Sequence, residues 1–235
     1  MRVFRIIVAF GFFCCVSQAV MANNVADSVT EIKKVNAFTT LKVNGNFNIV
    51  FTQGSCSLKI TASDQNAMSG IEVKSTPSSL TISQKDGAQG TATLYIGLKE
   101  EQIISLNING NISATNTIDN GELSLNFDGN VVGTLVLDVK MLNVNTSSGK
   151  ALVLKGKAKQ CNFKDSGEGS VDASELKMDN ITLDDSSDGD LKIYAHPEMH
   201  VKLEGTGALI YYGNPRIKTF KVSGQATDKQ ITEGK

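Results

Sequence analysis

Apolar and polar residues alternate in short runs along almost the whole chain after residue 23. Leu41/Val43, Phe47/Ile49/Phe51, Leu58/Ile60, Ile71/Val73, Leu80/Ile82, Leu94/Ile96/Leu98 and Leu106/Ile108 each sit two apart, in most cases with a polar or small residue between them. A period of two puts every second side chain on one face, so these runs predict strands with one buried face. Each run stops at Gly, Asn, Asp or Ser, the residues that turn a chain. No stretch sustains a helical period, and only Asp64 to Met68 has room for a single helical turn.

Above this alternation lies a longer repeat. Leu106, Leu125, Val144, Phe163, Leu183 and Leu203 follow one another at 19, 19, 19, 20 and 20 residues. A glycine comes after each: Gly110, Gly129, Gly149, Gly167, Gly189, and Gly205 or Gly207. A second apolar series follows the glycines at Ile112, Val131, Ala151, Val171, Leu191 and Leu209. A period near 20 without helical content means one coil of chain per repeat, each stacked on the last at the strand spacing of about 4.8 Å. No coil can bury its face alone, so neighbouring coils must supply the core. The glycines are read as corners where a positive φ is needed.

The expected fold is all-β: a right-handed parallel β-helix-like solenoid with coils of about 19–20 residues. The motif Val43-Asn44-Gly45-Asn46-Phe47 returns as Ile108-Asn109-Gly110-Asn111-Ile112 and Phe127-Asp128-Gly129-Asn130-Val131, which brings the N-terminal third into the same coil. An open end of such a stack exposes strand edges. The strands flanking Gly213-Asn214-Pro215 are therefore read as a C-terminal capping hairpin. The expected organisation is a signal peptide over 1–22, a flexible N-terminal segment over 23–35, a solenoid domain over 36–224 and a frayed tail over 225–235.

The first residues carry the signal for export. Arg2 and Arg5 precede an uncharged apolar run from Ile6 to Val16, and Val20-Met21-Ala22 offers a cleavage site. The run is shorter than the roughly 20 residues that span a bilayer. Phe12 and Phe13 are too bulky for a lipoprotein signal ahead of Cys14 and Cys15. A periplasmic, cell-surface or extracellular product is expected. Removing 1–22 takes away two arginines and no acid, so the formal charge of −1 becomes −3. A mildly acidic chain without a basic run has no electrostatic footprint for nucleic acid. The chain has no Trp and only three Pro, which suits many short strands and tight turns.

Several of these residues resemble the bacterial family of auto-transporter adhesin head GIN domains. The similar parts are Phe38, the run from Leu41 to Gly54, Leu80-Thr81-Ile82, and Tyr211-Tyr212-Gly213-Asn214-Pro215. The resemblance covers roughly residues 36–224. It implies an exported β-helical domain with an adhesin role and supplies no catalytic residues.

Candidate chemistry is sparse. Asp184-Asp185-Ser186-Ser187-Asp188-Gly189 lies one coil after Asp165-Ser166-Gly167 and Asp172, so stacking brings the acids to one corner. Good turn residues in water account for them. The alternative is a Ca²⁺ site using oxygen ligands from Asp165, Asp172, Asp184, Asp185 and Asp188. The same acids fit a glycosidase poorly, because a sugar groove with a set pair of carboxylates and aromatic platforms is missing. His196 and His200 stand at i and i+4, but Pro197 argues against the helix that a zinc site of that spacing needs. Cys56 and Cys161 are about five coils apart, or about 25 Å. That is too far for a disulfide, so both are expected as buried thiols.

The leading expectation is a non-enzymatic binding protein that offers a long repetitive face to a glycan or a cell-surface protein. The alternatives are a polysaccharide-active enzyme on the same scaffold and a self-assembling envelope module. No cofactor beyond the calcium candidate is expected.

Overall fold

The computed structural model describes residues 28–99, 102–147, 149–223 and the backbone of 231–233. The signal peptide reading lies outside the described residues. The fold is a β-solenoid of about six turns. Its regular part is built from long strands that each make most of a coil: β10 (Ile118–Asp128), β11 (Val131–Thr146), β12 (Lys150–Asp165), β13 (Gly169–Asp185) and β14 (Leu191–Leu203). Consecutive members pair in parallel.

Burial alternates along each strand and changes phase once. Leu135, Leu137 and Val139 are buried, Lys140 is exposed, and burial resumes at Leu142, Val144 and Thr146. The same break falls between Ala158 and Cys161, and between Met178 and Ile181. It marks a bend that divides each coil into two walls. The second corner is the turn between one long strand and the next.

The N-terminal third joins the same stack, as the repeated motif predicts, but out of chain order. β2 (Thr40–Gly45) and β3 (Phe47–Gln53) form a rung between two others. On one side lie β6 (Ser79–Gln84) and β7 (Ala92–Leu98), and on the other β8 (Gln102–Ile108) and β9 (Gly110–Ala114). The chain between β3 and β6 covers the N-terminal end. β4 (Ser57–Ala62) runs antiparallel to β7, and β5 (Ile71–Ser75) antiparallel to β6. Between them α1 (Gln65–Ser69) is the single helical turn expected, its first amides capped by Asp64. β1 (Val29–Lys33) pairs with β4, so part of the segment expected to be flexible is a strand.

At the other end the strands beside Gly213-Asn214-Pro215 are β15 (Leu209–Gly213) and β16 (Arg216–Val222). Each lies parallel on β14. Ile231–Glu233, within the tail expected to be frayed, forms β17 on β15.

Nine rungs share one apolar column: Leu80, Leu41, Ile104, Leu125, Val144, Phe163, Leu183, Val201 and Phe220. The expected column is right from Leu125 to Leu183 and one step off at its ends. Leu106 pairs with Phe127, and Leu203 with Asp185. In the second series Ala151 is exposed and Leu152 takes the buried place. The corner glycines also divide. Of the expected corner glycines Gly129 alone has a positive φ, and at the fourth corner it is Gly169 rather than Gly167 that adopts one. At Gly189 the reason is stacking, because a Cβ would lie 1.7 Å from the Gly169 carbonyl oxygen.

Candidate functional site

On the wall that follows the bend, residues between the buried positions point outward and stack in register. One outer column runs Ser124, Asn143, Asn162, Thr182, His200 and Thr219. The next runs Ser105, Asn126, Asn145, Lys164, Asp184 and Lys202. Parallel pairing in strict register places like on like, and amides exploit it by bonding along the stack. Asn162 Nδ2 donates to Asn143 Oδ1 at 2.9 Å, and Asn143 Nδ2 to Ser124 Oγ at 3.2 Å. Asn145 Nδ2 donates to Asn126 Oδ1 at 2.8 Å. His200 Nδ1 shares a 3.1 Å bond with Thr219 Oγ1.

Two shallow grooves lie over these columns. One of about 450 Å³ is lined by Lys42, Asn44, Asn126, Asn145, Lys164 and Ser166, among others. The other, about 440 Å³, shares Asn126, Asn145 and Lys164 and continues to Asn162, Thr182 and Asp184. A side-chain amide offers two donors and two acceptor lone pairs, and a ladder bond uses only one of each. What remains at Asn126, Asn145 and Asn162 lies beside the grooves.

Charges bracket the ladder. Lys202 Nζ lies 3.3 Å from Asp184 and 3.1 Å from Glu204. Hydrogen bonds to Glu204 and then Asp184 hold the Lys202 ammonium above its ordinary range. The Glu204 carboxyl is held low by the Ser223 hydroxyl and by Lys202. Asn46, Asn109 and Asn130 form a third ladder over the turns. At the bend, a groove of about 790 Å³ carries Asp119, Asp138, Lys140, Lys157, Lys159 and Lys177. Lys157 Nζ lies 2.9 Å from Asp138, whose hydrogen bond raises it.

The five candidate acids do not converge. Asp188 is exposed and accepts from Thr206 Oγ1 at 2.7 Å. Asp184 belongs to the outer column beside Lys202. Burial pushes the Asp172 carboxyl up, but the Ser174 hydroxyl and amide together with Lys192 outweigh it and hold it low. Asp165 and Asp185 do stack at one corner, as expected, but they face inward. They continue the column Ile82, Val43, Leu106, Phe127, Thr146, Asp165, Asp185, Leu203 and Val222, an apolar series that turns polar for three rungs.

The cation at that corner is Lys150. Its Nζ lies 2.8 Å from Asp165 Oδ1, and both side chains are 1% exposed. Thr146 Oγ1 donates to the same oxygen at 2.6 Å. Asp185 Oδ1 accepts from the Ser187 amide at 3.0 Å and hydroxyl at 2.6 Å. Among the described residues no three His, Cys, Asp or Glu side chains come together in a way that could hold a metal ion.

Sequence reasoning did not single out Lys150 or the amide ladders. Parity held the signal for the acids: Asp165 and Asp185 stand two residues after Phe163 and Leu183, on the same strand face. His196 and His200 are exposed strand residues, consistent with a surface role. Cys161 is buried, which pushes its thiol up to about 12. Cys56 is only half-buried, and both are free thiols.

Among the described residues no helix is long and apolar enough to cross a membrane. The fold is similar to that of a solved structure described as a putative adhesin from Bacteroides fragilis, with a TM-score of 0.78 and 22% identity, covering 88% of this chain and 97% of that one. A structure described as a putative lipid binding protein from Parabacteroides distasonis aligns with a TM-score of 0.65 and 17% identity, covering 89% of this chain and 97% of that one. One described as a putative adhesin from Parabacteroides merdae gives 0.60 and 17%, covering 88% and 96%. No curated protein matches in sequence. Residues 37–215, well over half of the sequence, match the profile described as "Putative auto-transporter adhesin, head GIN domain", and the chain belongs to that family.

Proposed function

We propose that the protein is an exported, non-enzymatic binding module whose ladder wall holds a polar polymeric ligand, a glycan or the glycosylated surface of a cell. The observation that carries this reading is the pair of amide ladders, Asn143–Asn162 and Asn126–Asn145, running along two connected grooves. A polar ligand lying along the solenoid axis would meet amide donors and acceptors on successive rungs, at Asn126 and Asn145 and at Asn143 and Asn162. The ladder bonds fix the amides in advance, which lowers the entropy cost of ordering them on binding. The adhesin family supports the same reading.

The test is a screen of glycans and mucins against the purified protein, with and without calcium. The expected result is binding that Asn145→Ala and Asn162→Ala together reduce at least tenfold while the fold is kept. Absence of binding in both conditions would remove the reading. The Parabacteroides distasonis neighbour makes phospholipid vesicles a useful further arm. Vesicle binding that survives the double substitution would favour a lipid partner over a glycan.

A further inference from the structure

Buried polar side chains gather mainly at one corner of the coil, where Thr146, Lys150, Asp165, Asp185 and Ser187 are all buried; Gln102 and Asn120 are buried elsewhere. Lys150 and Asp165 are the first and last residues of β12, a 16-residue strand. The chain leaves this corner at Lys150, makes most of a coil and returns to it at Asp165, just before Gly169 stacks on Lys150. Both side chains point inward, and they meet at 2.8 Å.

The two oxygens of Asp165 stand in different surroundings. Oδ1 receives Lys150 Nζ, the Thr146 hydroxyl at 2.6 Å and the Gly167 amide at 3.3 Å. Oδ2 is buried with no hydrogen-bond partner among the described residues. Lys150 Nζ is also held by the Glu168 carbonyl at 3.2 Å. One rung away, in register with Asp165, lies a second buried carboxyl, Asp185.

From this arrangement we infer that Lys150 and Asp165 condense into an intramolecular amide that closes one coil of the solenoid covalently. Moving a proton from the ammonium to the carboxylate within the pair gives an amine and a carboxylic acid, the reactive forms. Lys150 Nζ then attacks Asp165 Cγ. The Nζ–Cγ bond forms, and the Cγ–Oδ2 bond breaks. Negative charge developing on Oδ1 falls among fixed donors, the Thr146 hydroxyl and the Gly167 amide, as charge stabilisation at a reacting carbonyl requires. Asp185 relays a proton from Nζ to the departing Oδ2. The ammonium and carboxylate together lose one water and leave one amide, so no oxidant or other reactant is needed. Holding the two groups together by the folded coil replaces a bimolecular step with an intramolecular one.

The product is a ring closed through β12. It ties the two ends of a coil covalently at a corner otherwise held by the ion pair, side-chain hydrogen bonds and the stacking of neighbouring rungs. Such a closure resists uncoiling at that rung.

The experiment is intact-mass measurement of the purified full chain beside its Lys150→Met variant from the same expression. After correction for the substitution, the wild type is expected to be lighter by one water. Tryptic digestion of the wild type is expected to yield a branched product joining the peptides around Lys150 and Asp165. A wild-type mass without the water loss, and no branched product, overturns the inference. Asp185→Asn keeps both reacting groups, and its fold is checked by circular dichroism. Loss or slowing of amide formation in that folded variant is the expected result, and unchanged formation would overturn the relay role of Asp185.

Discussion

Lys150 and Asp165 open and close a single coil and meet inside it at 2.8 Å, each side chain 1% exposed. Buried charges are costly when one partner is removed, by about 3–5 kcal/mol, whereas replacing both with apolar groups is often neutral. Lys150→Met leaves the Asp165 carboxylate inside without its cation. The double variant Lys150→Met/Asp165→Leu removes both charges of the pair. Both variants lack the amide, so their difference isolates the stranded charge. Urea unfolding should find the double variant more stable than the single by about 2–4 kcal/mol. Equal stabilities would show that the corner tolerates an unpaired carboxylate.

Phe163 fills the column between Val144 and Leu183 and is 1% exposed. Phe163→Ala should cost about 3–5 kcal/mol, the range for emptying an aromatic site in a packed core. Chemical denaturation measures it directly.

Two glycines should respond in opposite ways to the same change. A Cβ at Gly189 would sit 1.7 Å from a carbonyl oxygen of the neighbouring rung, while at Gly121 it would meet nothing within 4 Å. Gly189→Ala must push two rungs apart and is expected to cost about 3 kcal/mol or more, through the overpacking that close stacking forbids. Gly121→Ala is expected to stay within about 0.5 kcal/mol, as an open surface site does. Thermal melts of the pair decide it.

Acid should weaken the fold through specific carboxyls. Asp64 is held low mainly by the Ala67 amide at the start of α1, and Glu198 by Arg216. Asp172 is also low on balance, as described. A depressed folded value contributes stability that is present above the unfolded value of about 4 and is lost as pH falls through the folded one. Stability should therefore fall below about pH 4, and Asp64→Ala should flatten part of that slope while lowering stability through the lost cap. Lys157 and Lys202 act at the other limit, since their raised values make their contribution disappear as pH rises through the folded value. Denaturant titrations across pH measure both arms.

Cys161 is buried and its thiol pushed up to about 12 by loss of solvent, while Cys56 is half-buried. Since the thiolate is the nucleophile, a thiol reagent at mild alkaline pH should leave Cys161 unmodified in the folded protein and modify it after unfolding. Rapid labelling of Cys161 in the native state would show that its wall opens.

The sequence by itself determined the class of fold, because period-two alternation and a 19–20-residue repeat have few physical solutions. It also determined the middle of the apolar column from Leu125 to Leu183, where every coil has nearly the same length. Only the tertiary structure decided the ends. β2 and β3 slide between rungs that follow them in the chain, and no local pattern records that. At Leu203 the repeat spacing pointed to Leu183, but the structure pairs it with Asp185. The inward turn of Asp165 and Asp185 was written in their parity with Phe163 and Leu183, and a charged residue at an inward place is costly unless paired. That pairing was invisible because Lys150 stands 15 residues before Asp165. Only closure of the coil brings the two together. The ladder wall follows the same logic: Asn126, Asn143, Asn145 and Asn162 are ordinary turn-forming residues in the sequence, and parallel stacking in register makes them a surface.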